Sequence, residues 1–370
     1  MIWPNICKSL AILSEMIPGQ QQQRSSPPIL IVGYMHSGTT LLQQVLGRHP
    51  DIFISGGETR FFLNFSITAR KFPDLNNDQT LRSYLEYLVK VIFAGFAKVN
   101  FTRRAGYQPV SLQDYNISAA DVDDLFHEAQ QNRSHAALYA VTFNFLANRH
   151  GKSRWLDKLA GHVSQVEMMR NLLPDAQVVE LVRDPRDILA SKKRRAANGG
   201  SYDPIWDSLA WTTAFRAGIR AQQKWPACHL PVRYEDLVSR PEETMREICQ
   251  FLNLQFDPNM LSVGWINSTT IQGEKAGNRI GTDAVGKWRY LLPAADIAAC
   301  QWIARKELPA GCYKQEPISP LVYLALPVLL LRSAAEFFFR LYNKWRRGGT
   351  ELLRSVINNY RLRFLRLINS

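Results

Sequence analysis

A chain of 370 residues, 46% hydrophobic and 21% charged, can bury a sizeable core, which excludes a disordered or fibrous polypeptide. Its formal net charge of +13 bears on anionic partners and solubility rather than on fold. Five cysteines, Cys7, Cys228, Cys249, Cys300 and Cys312, stand singly with no C-x-x-C pair; this argues against a zinc site or a disulfide framework and for a reducing, cytoplasmic setting.

The first 18 residues form a broken apolar stretch with two prolines, too short for a membrane span and poor as a secretion signal. With the polar run Gln20 to Pro28 they read as an N-terminal segment and linker, residues 1–27. The main domain is expected over 28–313. It opens with the apolar strand Ile29 to Val32, a glycine loop, and a helix whose Leu41, Leu42, Val45 and Leu46 share one face before His49-Pro50 stops it. Apolar periodicity predicts further helices over 78–98 and 134–148, separated by a polar, irregular insertion at 99–121. The near-continuous apolar run Val178 to Val182 reads as a strand buried on both faces that breaks at Arg183-Asp184-Pro185 into a helix. A third strand, His229 to Tyr234, leads into the helix Pro241 to Leu252. Strands alternating with helices predict an α/β fold, a mostly parallel central sheet flanked by helices, with ligands beyond the carboxyl ends of the strands.

Residues 314–370 form a basic, helical C-terminal extension in this reading. Pro320 to Leu331 is apolar but only about a dozen residues long and interrupted by Pro327, short of the roughly 20 needed to cross a bilayer. Residues 321–370 hold nine Lys/Arg against two Glu, a net +7, interleaved with aromatics and leucines. Such a tail suits an anionic membrane surface; packing on its own domain or on a second subunit is the equal alternative, and the oligomeric state stays open. The basic run Lys192-Lys193-Arg194-Arg195 reads as a solvated helix face. No zinc finger, helix-turn-helix or RNA-binding signature accompanies the charge, so nucleic acid is not an expected partner.

Gly33 and Gly38 have the separation of the G-x-x-x-x-G-K-[ST] loop that holds nucleotide phosphates, but Thr39 stands where that loop needs lysine. Backbone N–H groups of residues 36–40 at a helix N-terminus, with the hydroxyls of Ser37, Thr39 and Thr40, would still cradle a phosphate or sulfate. The missing lysine weakens a kinase or NTPase reading.

The loop resembles that of the sulfotransferases that use 3′-phosphoadenosine 5′-phosphosulfate (PAPS), where [RK]-[ST]-G-T-[TS] follows a strand. The resemblance implies a P-loop-like sulfotransferase fold, no required metal, and a 5′-phosphosulfate held by His36, Ser37, Gly38, Thr39 and Thr40. "VELVRDPRDILASKK" is similar to the family's 3′-phosphate motif, which implies that role for Arg183 and Ser191. "VRYEDL" looks like its Y-E-x-L signature beside the cofactor and brings in Tyr234; "NRIGTDAVGKW" resembles its late G-x-W loop and nominates Arg279 and Lys287, with Trp288 read as core. "HPDIFISGGETR" is similar to the tyrosylprotein sulfotransferases, which implies that Glu58 is the general base, as sulfuryl transfer to a hydroxyl needs. "RWLDKLAGHV" is similar to the segment that places a lysine by the donor sulfate, here Lys158, with His162 as a competing base. The family carries Arg or Lys where this chain has His36, whose charge depends on protonation near neutrality; His36 and Lys158 share the task of stabilising the transferring group. The implied reaction moves a sulfuryl group from PAPS to a hydroxyl or amine of a small-molecule, carbohydrate or lipid-linked acceptor, leaving 3′-phosphoadenosine 5′-phosphate. The rivals are an ATP-dependent small-molecule kinase and a membrane-associated protein with a degenerate nucleotide site.

Overall fold

The computed structural model describes residues 26–95, 112, 115–197, 201–262, 280–339, 341, 342 and 346. Its centre is a five-stranded, all-parallel sheet in the order β2-β3-β1-β4-β5. The strands are β1 (Ile29–Gly33), β2 (Ile52–Ile54), β3 (Arg154–Ala160), β4 (Gln177–Val182) and β5 (His229–Arg233). β1 lies between β3 and β4 and is buried along its whole length, as its unbroken apolar run requires. Strand order reverses around β1, and such a reversal opens a crevice beyond the carboxyl ends of the strands. The three strands expected from sequence are present; β2 and β3 are additions, β2 only three residues long and β3 interrupted by Asp157 and Lys158.

Among the described residues, helices of eight or more residues are α1 (Thr39–Leu46), α2 (Asp78–Ala94), α3 (Ala119–Glu128), α4 (His135–Arg149), α5 (Pro185–Ala196), α6 (Pro204–Lys224), α7 (Pro241–Phe251), α8 (Ala294–Ile303) and α9 (Pro320–Phe339), the last opening with a 3-10 turn. Local chemistry sets their starts. Asn77 accepts a hydrogen bond from the Thr80 amide at α2, Ser118 and Asp121 form a reciprocal capping box at α3, and Ser134 caps α4. At α5, Asp184 accepts from the Arg186 amide and Pro185 takes the first helical position, where its missing N–H costs nothing. Most of the expected insertion at 99–121 lies outside the described residues, and its end already belongs to α3.

The chain divides into two compact units: Pro18–Leu181 with Ala221–Gly281, and Met1–Ile17 with Val182–Arg220 and Thr282–Ser370. The first contains nearly all of the sheet. On one face of β3, Phe143 of α4 stacks on Trp155 with ring centres 4.3 Å apart. The second unit has its own core, in which Leu189 and Ala190 of α5 pack with Trp288, Leu292 and Cys300. Trp288 is therefore core, as its sequence context suggested. Arg186 is buried there: Nε and Nη2 donate to Asp184, Nη1 donates to Gln301 at 2.8 Å, and the guanidinium lies 4.0 Å from the Trp288 ring centre.

Two sequence expectations are corrected in this second unit. The run after Ser191 is only partly a solvated face: Arg195 is exposed, but Lys192 is buried in an ion pair with Asp207 of α6, and Lys193 donates to the Leu291 carbonyl at 3.0 Å. The apolar C-terminal segment does not stop at Leu331, because α9 runs for 20 residues and is long and apolar enough to cross a membrane by length and composition. Pro327 fails to interrupt it because it falls in the first turn of the α-helical part, just after the 3-10 turn ends at Ala325, where no intrahelical N–H is needed.

Replacing Arg186 with methionine would leave the Asp184 carboxylate buried without its cation. The expected loss is about 3–5 kcal/mol of stability, measured by urea denaturation; a loss below about 1 kcal/mol would mean that the pair is dispensable.

Candidate active site

The loop from Gly33 to Thr40 leaves the carboxyl end of β1 and enters α1 (Thr39–Leu46). Two left-handed residues shape it, His36 at φ 69° and Gly38 at φ 95°. Gly38 is needed for space as well as conformation, since a Cβ there would lie 2.5 Å from the ring of Tyr234. Tyr234, the first residue after β5, is buried and forms the floor of the loop. No side chain caps α1, so its first amides are left for a ligand. The Ser37 hydroxyl is buried and its oxygen has no hydrogen-bond partner within the described residues, although buried hydroxyls are nearly always satisfied. A buried donor at an uncapped helix N-terminus fits an anionic group such as phosphate or sulfate.

The pairing register brings β3 level with this loop: Ile31 lies opposite Lys158, and Gly33 opposite Ala160. Lys158, a buried cation, reaches Thr40 Oγ1 at 3.5 Å and Glu58 Oε1 at 3.2 Å. Glu58 is one-third exposed, and its other oxygen faces Arg60 Nε at 3.8 Å. One base candidate, one cation and the anion cradle thus meet within the first unit.

Successive residues of a strand point to opposite faces, so Asp157, one residue before Lys158, serves a different purpose. It is fully buried and accepts hydrogen bonds from Ser55 at 2.8 Å, Thr59 at 2.5 Å and Tyr139 of α4 at 2.5 Å. Burial pushes its carboxyl up to about 6, against the hydroxyl bonds that favour the ionised form. Ser55 and Thr59 bracket Glu58, so Asp157 anchors the loop that carries the base. Gly56 lets the same loop approach α2: its amide donates to Ile92 at 2.8 Å, and a Cβ there would collide with the Phe93 carbonyl. None of this was read from sequence. The available signal was Asp157-Lys158, two charges inside an otherwise apolar segment.

His162 lies just past β3, fully buried. Its Nδ1 is 3.0 Å from the Ala160 carbonyl, which can only accept, so Nδ1 carries the proton and Nε2 presents an unpartnered lone pair. Burial drives its pKa down to about 4. It is less accessible than Glu58.

In the second unit, Arg183 follows β4 and is buried; its Nη2 donates to the Ala284 carbonyl at 2.6 Å, and its own carbonyl accepts from the Trp211 indole at 3.1 Å. Ser191 is half-buried in the second turn of α5. Asp184 pairs with Arg186 at 2.7 Å. Asp187 accepts from the Gly286 amide at 2.7 Å and the Trp288 amide at 3.1 Å, which lays the loop carrying Lys287 along the start of α5. Asp187 too was missed from sequence, where D-P-R-D reads as helix-start chemistry. Arg279 lies outside the described residues.

With this geometry in place, comparison with known proteins decides the family: the model of the sulfotransferase family matches residues 27–258. The chain belongs to the sulfotransferase family. The match spans the glycine loop, Glu58, Lys158, Arg183, Ser191 and Tyr234, and ends before Lys287. Among curated relatives, a putative protein-tyrosine sulfotransferase of Caenorhabditis briggsae is 22% identical over 70% of this chain and 80% of its own length. Mouse carbohydrate sulfotransferase 1 is 26% identical over 50% of this chain and 47% of its own, so this chain matches about half of that relative. The solved sulfotransferase domain from the curacin biosynthetic pathway aligns over 80% of this chain and all of its own, with 19% identity and a TM-score of 0.49.

His162 should remain neutral well below neutrality. Its folded pKa lies beneath the unfolded value of about 6.5, so its contribution to stability is present above that value and is lost as pH falls from it toward about 4. Nitrogen NMR of labelled histidine should show the Nδ1–H tautomer unchanged between about pH 8 and about pH 5; an imidazolium signal growing in near pH 6 would refute the assignment.

Proposed function

We propose that this sulfotransferase takes its sulfuryl group from PAPS and passes it to a hydroxyl or amine of a small-molecule, carbohydrate or lipid-linked acceptor. The observation that carries this reading is the orphaned, buried Ser37 hydroxyl at the uncapped start of α1, with the Lys158–Glu58 pair beside it. The relatives' names support a hydroxyl acceptor, since tyrosine and carbohydrate both offer one.

In this reading Ser37, Thr39, Thr40 and the loop amides bind the 5′-phosphosulfate, and Lys158 neutralises charge on the transferring group. Arg183 and Ser191 bind the 3′-phosphate, and Lys287 is a further nucleotide contact. The acceptor oxygen attacks sulfur as the bond from sulfur to the 5′-phosphate oxygen breaks; the bonding pair leaves with 3′-phosphoadenosine 5′-phosphate, and the acceptor proton passes to Glu58. When the donor's sulfate draws Lys158 away from Glu58, the carboxylate is released to act as base. Asp157 keeps it within reach. His36, in its left-handed turn, adds a hydrogen bond, and a full charge only where it is protonated.

Calorimetric titration tests the donor: 3′-phosphoadenosine 5′-phosphate should bind in the micromolar range, ADP and ATP–Mg²⁺ far more weakly, and Arg183→Ala should abolish the preference. Tighter binding of ATP–Mg²⁺ would refute the sulfotransfer donor and favour a kinase. Glu58→Gln should leave nucleotide affinity within about twofold while lowering kcat by 10²-fold or more, the scale of general-base catalysis; an unchanged kcat would remove Glu58 from the mechanism.

A further inference from the structure

Helix α9 is docked on its own unit by one face and exposed on the other. In the docked face, Ser333 is buried and its hydroxyl donates to Asp203 Oδ1 at 2.8 Å. The same oxygen of Asp203 accepts the Ile205 and Trp206 amides at the start of α6. One turn on, Phe337 packs against Trp206 with ring centres 5.5 Å apart. The opposite face carries Leu321, Leu324, Val328, Leu331 and Phe338, spaced at three, four, three and seven residues, with Phe339 beside them. Leu321, Leu324 and Leu331 are each more than 70% exposed. The two charges within the helix, Arg332 and Glu336, pair with each other at 3.4 Å. An apolar stripe of this length on an outer face marks a binding surface.

We propose that α9 is an in-plane membrane anchor: its outer stripe beds into the interface of an anionic lipid bilayer, parallel to the surface, while the inner face stays on the protein. Two observations choose this occupant. Residues 340–370 carry eight Lys/Arg and one Glu, a net +7 that follows directly from the end of the helix and complements anionic headgroups. A second copy docked stripe to stripe in parallel would instead bring two such tails together. The Ser333–Asp203 bond selects lying over spanning. Although α9 is long enough to cross, it is held at mid-length to a buried carboxylate that caps another helix, and a crossing would have to break that bond or carry the carboxylate into hydrocarbon.

The test uses the full chain and co-sedimentation with vesicles of phosphatidylcholine alone or with about 30% phosphatidylserine. Binding is expected to the anionic vesicles, weakened when salt is raised from about 0.1 M to about 0.5 M. The double substitution Leu324→Glu and Leu331→Glu, which alters exposed positions only, should reduce binding roughly tenfold or more with an unchanged melting temperature and unchanged nucleotide binding. Equal partitioning of variant and parent would overturn the proposal. So would failure to bind either vesicle together with a dimer that the double substitution dissociates, which would assign the stripe to a second copy. Bound protein that resists alkaline carbonate extraction would overturn the in-plane arrangement in favour of a span.

Discussion

The site in the first unit depends on the register of β1 between two parallel neighbours. Pairing Ile31 with Lys158 and Gly33 with both Ala160 and Leu181 brings three strand ends to one level. The glycine loop then starts where a cation from β3 can reach it. A slip of one residue would turn Lys158 to the other face of the sheet and bring Asp157 toward the anion cradle, reversing the sign of the charge there. The apolar burial of all of β1 opposes such a slip, because each of its residues has a hydrophobic neighbourhood to lose.

Around that register, buried polar groups do positional rather than energetic duty. Asp157 is costly to bury, as its upward-shifted carboxyl shows, yet it gathers three hydroxyls from two chain segments and so ties the Glu58 loop to β3 and α4. Asp187 does the equivalent in the second unit by accepting two amides of the 286–288 loop. In each case an acidic residue holds the loop that presents a candidate functional side chain, Glu58 in one and Lys287 in the other. In the first unit the candidate site combines the buried Ser37 and Lys158 with the partly exposed Glu58, and the loop that carries Glu58 is held by an acceptor that no solvent reaches.

The C-terminal helix follows a different logic. Its inner face obeys the packing rules of a soluble domain, with a satisfied hydroxyl and an aromatic contact, whereas its outer face ignores them. The in-plane anchor proposed for this helix rests on that contrast between its two faces and on the net +7 of the residues that follow it.

The local signals were legible without coordinates. The unbroken apolar runs at Ile29 and Val178 read as strands covered on both faces. The S-G-T-T after the first of them read as the start of a helix with free amides, and Arg183-Asp184-Pro185 read as the break from a strand into a helix. These features are short-range, so the residues that cause them are adjacent in the chain. What the tertiary structure alone decided is long-range. That β3 is a strand at all depends on its two neighbours, since R-W-L-D-K-L-A carries two central charges that become tolerable only with Glu58 on one side and three hydroxyls on the other. That Lys192 is buried depends on Asp207, a helix away, and that Pro327 does not end α9 depends on where the 3-10 turn hands over to the α-helix. Sequence patterns report which groups a residue could satisfy; only the folded chain decides which group it meets.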